Sequence, residues 1–272
     1  MRFTSLHLFL PLLVTLLPVS GELRAEEYPS TYAPLPSEPT LITHATILTG
    51  TGERLDDASL LITDGKIVFV GEGDVPAGVT TIDAKGRWVT PGLIDVHSHL
   101  GVYASPGVKA HSDGNEMTNP ATPNVWAEHS VWPQDPGFSR ALAGGITTLQ
   151  TLPGSGNLIG GRGVTLKNVY SNSYQGMKFP DAPHGLKMAC GENPKRVYGD
   201  RKQLPSTRMG NMAAYRTQWI DAQKYIDDWD AYQEKADDKN DDAKAPKRDL
   251  RLETLAGVLK GEILVHMHCY RA

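Results

Sequence analysis

The chain has 272 residues, with 27 Lys or Arg against 31 Asp or Glu and a net charge of -4, and is 40% hydrophobic and 21% charged. That length holds one large domain or two modest ones, in an ordinary globular composition. No basic excess or Lys/Arg-rich run is present, which argues against a nucleic-acid partner.

Residues 1–25 read as a secretory signal peptide. Arg2 supplies the charged start, Leu6–Val19 the apolar run, and Ser20 and Gly21 the small-residue cleavage zone. The apolar run is shorter than the roughly 20 residues of a membrane span. An exported chain, periplasmic or extracellular, with no stable span after cleavage is the expectation; an uncleaved anchor is the alternative. No Cys follows the apolar run, so lipoprotein processing is not expected. Residues 26–40, with the Pro- and Ser-rich stretch Pro29–Pro39, read as an extended linker.

Residues 41–88 read as a small β module. Leu41–Leu48, Ser59–Thr63, Lys66–Gly71 and Thr80–Asp83 are rich in Ile, Val, Leu and Thr. The pair Asp64-Gly65 between two apolar runs is a hairpin signal. His44 falls within this module and reads as structural.

From Val89 to the end at 272 the pattern becomes alternating strand and helix. Val89–His99 is predicted as the first strand, Asp135–Ala143 as a short helix and Gly145–Leu152 as the second strand. Val164–Val169 and Gly185–Cys190 are predicted as the third and fourth. Met212, Tyr215, Trp219, Ala222, Ile226 and Trp229 step by three and four residues, the stripe of an amphipathic helix, and read as core packing. Lys235–Arg248 is a mixed charge run, read as a solvated helix end and loop. Leu250–Lys260 is predicted as a helix and Glu262–His268 as the fifth strand. Such alternation predicts an α/β parallel sheet or (β/α) barrel. The chain stops at Tyr270-Arg271-Ala272 just after an apolar run, so a longer parent protein is expected.

Chemistry concentrates at the predicted strand ends, where a parallel β/α architecture places reactive groups. Pro91-Gly92-Leu93-Ile94-Asp95-Val96-His97-Ser98-His99 ends in two histidines one residue apart. Alternate strand residues face the same side, so His97 and His99 can aim at one divalent ion. A second pair, His266 and His268, closes the fifth strand. The stretch Gly154–Gly163 lacks the ending of a P-loop and reads as an active-site loop that needs close backbone approach. Arg162 within it can bind a substrate carboxylate. His111, His129 and His184 are each weighed as pocket-lining residues against solvated loop residues, and the solvated loop is favoured. Cys190 and Cys269 can pair in an exported protein, but two buried, unpaired thiols are the expectation.

These segments, with Ala141-Leu142-Ala143-Gly144-Gly145-Ile146-Thr147-Thr148, Pro153-Gly154-Ser155-Gly156-Asn157-Leu158-Ile159-Gly160-Gly161, Gly191-Glu192-Asn193-Pro194-Lys195-Arg196 and Val265-His266-Met267-His268-Cys269-Tyr270-Arg271-Ala272, resemble the amidohydrolase superfamily. The similarity is greatest to imidazolonepropionase-like and dipeptidase-like members. It covers Leu41 to the end and implies a (β/α)8 TIM barrel of metal-dependent hydrolase type, here truncated after about strand five, with a small flanking β-sandwich. It implies a divalent cofactor, Zn²⁺ first, as one or two ions. His97 and His99 match the first-strand ligands. The ligand after strand four is Lys187, as a carboxylated lysine, or else Glu192; Lys187 is favoured, and Glu192 alternatively caps a helix or pairs with Arg196. His268 matches the strand-five ligand, with His266 as an alternative or a supporting residue behind it. The resemblance also implies a histidine after strand six and an aspartate after strand eight, both beyond this sequence. No catalytic base is therefore assigned, and the chain alone is expected to be inactive. The implied reaction is metal-assisted hydrolysis of a C–N bond in a small-molecule substrate: a cyclic amide, an N-acyl amino acid or a dipeptide. A non-catalytic fragment and an exported metal-binding protein without turnover are the alternatives, and an oligomer is left open.

Overall fold

The computed structural model describes residues 28–236 and 243–270. The signal-peptide reading of 1–25 and part of the charge run Lys235–Arg248 lie outside the described residues.

The first sheet contains β1 (Thr40–Leu48), β2 (Arg54–Thr63), β3 (Lys66–Gly71), β4 (Thr80–Asp83) and β5 (Trp88–Val89). Its order is β3-β2-β1-β4, with β5 also on β1. The turn between β2 and β3 is the anticipated Asp64-Gly65, and both residues have positive φ, 53° and 70°. That is the primed geometry that matches strand twist. Ala45, Ile47, Ala58, Leu60 and Ala84 form its core. Among the described residues these strands make one sheet rather than a sandwich. Val89 belongs here, paired with Ile47 of β1, and does not start the next strand as predicted. Pro91, which lacks a donor for a ladder, and Gly92 lie between the two strands.

The second sheet contains β6 (Leu93–Ser98), β7 (Ile146–Thr151), β8 (Ile159–Lys167), β9 (Gly185–Gly191) and β10 (Leu264–Tyr270), in that spatial order. β6 and β7 are parallel, as are β9 and β10, but β8 runs antiparallel to both its neighbours. The predicted all-parallel arrangement is wrong at this strand. Residues 152–158 are too few for a parallel crossover, which needs a dozen or more residues, so the chain reverses. The consequence is useful: the ends of β6, β7, β9 and β10 and the start of β8 converge on one rim.

Helices cover one face of this sheet. α1 (Pro136–Ala143) is capped by Asp135, whose carboxylate accepts from the Gly137 amide at 2.9 Å. Its Phe138 packs with Leu149, Val164 and Leu166. α2 (Glu192–Gly199) leaves β9 through Gly191 at φ 70°, a conformation that favours glycine. α3 (Arg208–Ala236) and α4 (Leu250–Leu259) follow. Tyr215 and Ala222 of α3 and Leu255 of α4 bury Leu186 and Met188 of β9. Met212, predicted to share that stripe, is 59% exposed. It lies in the first turn and a half of α3, and Asn211 beside it is buried instead.

Cys190 and Cys269 form a disulfide, with Cα atoms 4.8 Å apart, against the expectation of free thiols. The cause is register: Cys190 of β9 lies directly beside Cys269 of β10, within the Cα spacing that a disulfide spans.

Candidate functional site

The rim gathers the histidines. His97 is on β6 and His99 follows its end; their rings lie 5.3 Å apart at 88°. The His97 ring is 6.2 Å from that of His268 on β10. His99 Nδ1 lies 2.8 Å from the Leu152 carbonyl oxygen, just past β7. A carbonyl only accepts, so Nδ1 carries the proton and Nε2 keeps its lone pair for a ligand. Lys187 of β9 is fully buried. Its Nζ donates to the Pro153 carbonyl at 3.0 Å and lies 3.0 Å from His97 Nε2.

Burial favours the neutral forms of these groups. Burial pushes the Lys187 ammonium down to about 8. Burial, with Lys187 behind it, lowers His97, His266 and His268 below the usual imidazole value. His99 is lowered by burial against the opposing pull of its Leu152 hydrogen bond. Neutral imidazole is the form that binds a metal. Among the described residues, no group of three His, Cys, Asp or Glu side chains is placed to hold an ion by itself. Lys187, with its Nζ 3.0 Å from His97 Nε2, lies among these imidazoles. As an ammonium it repels a cation; as a carbamate it offers two oxygens.

His266 pairs in register with Lys187. Its Nε2 is buried with no hydrogen-bond partner and lies against Gly185, where a Cβ would meet it at 2.8 Å. It sits one layer below His268, behind the donors. Asn193, at the start of α2, donates to Ser155 Oγ at 2.7 Å and lies 3.5 Å from His268 Nε2. Glu192 is exposed in the first turn of α2.

The remaining sequence candidates stand outside this cluster. Arg162 donates through Nε to Thr254 Oγ1 of α4 at 3.0 Å and stacks over Trp126 at 4.4 Å. His111 ends a short 3-10 turn, half-buried, with its ring 4.7 Å from that of Trp132. His184 is 6% exposed and hydrogen-bonds through Nδ1 to the Gly163 carbonyl at 3.1 Å, so it is not the solvated loop residue expected. Lying immediately before β9, it is drawn into the sheet edge. A cavity of about 400 Å³ adjoins the rim, lined in part by Asn115, Glu116, Trp126, His129, Pro153 and Gly160.

A solved amidohydrolase from Thermotoga maritima superposes with a TM-score of 0.77 at 37% identity, covering 86% of this chain and 58% of that one. Amidohydrolase tasK of Hapsidospora irregularis is 33% identical over 263 residues, covering 86% of this chain and 27% of that protein. This chain belongs to the amidohydrolase superfamily. Imidazolonepropionase of Klebsiella pneumoniae is 35% identical over 117 residues, covering 38% of this chain and 29% of that enzyme. The chain thus spans about a quarter of the length of these curated relatives. No family model matches it. Within this amidohydrolase chain, sequence reasoning missed Ser155, Asn193 and the carbonyls of Leu152 and Pro153. Ser155 and Asn193 lie in stretches singled out for their motifs, and Leu152 ends a predicted strand, but a backbone carbonyl leaves no mark in residue type.

Proposed function

We propose that this chain carries the metal-binding rim of a hydrolase that cleaves C–N bonds other than ordinary peptide bonds. One observation carries the reading. A fully buried lysine, with its pKa pushed down to about 8, touches His97 while His99 and His268 share the same ring cluster. Among the described residues no carboxylate pairs with that amine. A buried ammonium facing an imidazole lacks a compensating charge, which is costly in a purely structural role. The neutral amine would add CO₂ and release a proton to solvent, giving an anionic carbamate whose charge a divalent ion would compensate.

His97, His99, His268 and carboxylated Lys187 would hold a divalent ion, Zn²⁺ first, which supplies Lewis acidity and an activated water. The Leu152 carbonyl fixes the tautomer and tilt of His99. Ser155 anchors Asn193 beside His268. His266 supports the cluster from below, and Glu192 is the alternative ligand. The adjoining cavity would take a small substrate of cyclic-amide, N-acyl amino acid or dipeptide type. Arg162 would act on it through the cavity wall, by stiffening Trp126, and His111 through its neighbour Ser112, which lines the cavity. The names of the relatives, amidohydrolase and imidazolonepropionase, support C–N bond hydrolysis.

The same reading takes 1–25 as an export signal, 26–40 as a linker, 41–88 as the β module and 89–272 as part of a (β/α) barrel. Export to an oxidising compartment agrees with the disulfide. The test is hydrolysis of a panel of cyclic amides, N-acyl amino acids and dipeptides by the zinc-loaded complete gene product. His97→Ala should lower kcat/KM by roughly 100-fold or more. Zinc retention with no turnover on any member of the panel would contradict the hydrolase reading and favour a metal-binding protein.

A further inference from the structure

The cavity beside the rim carries on its wall a histidine held in one orientation. His129 lies in a single 3-10 turn, Ala127–Ser130, and lines the cavity together with Trp126. Its ring stacks on Trp126, with centroids 5.6 Å apart and planes 9° from parallel. Tyr28 and Tyr174 meet it edge-on, at 6.1 and 6.3 Å. Arg162 in turn lies over the Trp126 ring at 4.4 Å. Stacked and edge-to-face contacts have preferred geometries, so three rings set the plane of the imidazole.

Its two nitrogens are not equivalent. Nε2 lies 3.6 Å from Oε1 of Glu128, whose side chain is wholly buried and pairs with Lys178 Nζ at 2.9 Å. Lys178 Nζ also donates to the Tyr28 carbonyl at 2.9 Å. A carboxylate only accepts, so the Nε2 that faces it bears the proton, and Nδ1 of the neutral ring is an acceptor. The ionisable residues on the cavity wall are Asp113, Glu116 and His129, with no Lys or Arg among the described lining residues. An anionic substrate group meets like charge there, whereas a protonated amine meets acceptors and opposite charge. Pro153 joins this wall to the rim: it lines the cavity, and its carbonyl accepts the Lys187 hydrogen bond at 3.0 Å.

We propose that His129 is a substrate-contacting residue whose Nδ1 accepts a hydrogen bond from a protonated amine of the substrate. Glu128 and Trp126 are its positioning residues, the first by fixing the tautomer and the second by fixing the ring plane. The substrate is then a compound of the classes named above that carries an amine on the part entering the cavity. His129 makes and breaks no covalent bond in this role; it selects and orients. Calling the ligand a substrate rests on the hydrolase reading above, while its binding rests on the cavity alone.

The test uses three probes on one skeleton: N-acetylethylenediamine, N-propylacetamide and N-acetyl-β-alanine, which end in an ammonium, a methyl and a carboxylate. The full chain is titrated with each by calorimetry at pH 8 in chelator, so that neither metal nor turnover contributes. The ammonium probe should bind at least about tenfold tighter than the methyl probe, the scale of one hydrogen bond to a charged group, and the carboxylate probe should bind weakest. His129→Gln keeps a donor toward Glu128 and should cut the ammonium advantage to about threefold or less. His129→Asn keeps an acceptor near the place of Nδ1 and should retain most of it. If His129 serves only to hold Glu128, neither variant changes the advantage, and that result overturns the proposal. So does tightest binding of the carboxylate probe, or no saturable binding of any probe. A readout independent of either variant's folding is the His129 imidazole nitrogen resonances of the unmodified chain, which should shift with the ammonium probe and not with the methyl probe; equal shifts with both overturn the proposal. An ammonium preference in a protein that hydrolyses nothing on the panel keeps the binding site and removes the hydrolase reading. Hydrolysis of the panel by the zinc-loaded complete gene product, without an ammonium preference, does the reverse.

Discussion

Replacing Lys187 by Met asks whether the rim is built around a buried charge. Burial moves the amine from 10.5 to about 8, a fall that corresponds to roughly 3 kcal/mol. Below pH 8 the amine is charged in both folded and unfolded chains, and the folded chain carries the whole cost. Between pH 8 and 10.5 the unfolded chain holds the proton and the folded chain releases it. Stability therefore rises with pH across that window, and the cost is gone above it. Met has similar length and no charge. It removes the contacts to His97 Nε2 and the Pro153 carbonyl, worth about 1 kcal/mol each. The metal-free variant should thus be more stable than the parent at pH 7 by roughly 1–2 kcal/mol, with the difference reversing toward pH 10. The assay is urea unfolding at pH 7, 8, 9 and 10 in chelator and CO₂-depleted buffer. A variant less stable by about 2 kcal/mol at pH 7, or a difference that does not change with pH, refutes the reasoning.

Two further substitutions test the scaffold. Gly161 has φ 121°, and a Cβ there would meet the Val125 carbonyl oxygen, so Gly161→Ala should destabilise by about 2–4 kcal/mol, read as a lower urea midpoint at unchanged slope. Lys178→Met removes the 2.9 Å partner of the fully buried Glu128 and leaves it facing His129 Nε2 at 3.6 Å; a loss of about 3 kcal/mol at pH 7 is expected, and a loss under about 1 kcal/mol would show that His129 holds the carboxylate without the lysine.

Much of the fold was legible because its signals are local. Lys66–Gly71 and Thr80–Asp83 form the strands predicted, and Asp64-Gly65 makes the hairpin turn between Arg54–Thr63 and Lys66–Gly71. His97 and His99 were legible because period-two alternation carries both to one side. The reversal at β8 was present in the short, Gly- and Pro-containing link 152–158, but the surrounding strand–helix alternation suggested a parallel strand. The disulfide was not legible: 79 residues separate its cysteines, and only the register of β9 with β10 brings them together. Arg162 shows the same limit. Its position in a glycine-rich stretch suggested substrate, whereas a register shift between Ile159 and Gly161 accompanies its turn toward α4.

Zinc stoichiometry of the chain and of its His97→Ala and His99→Ala variants, by elemental analysis after dialysis, tests the shared ion most directly. The chain should hold at least about one equivalent, and each variant should lose most of it. Full stoichiometry in both variants, or none in the parent chain, would mean that His97, His99, Lys187 and His268 do not meet at a common cation.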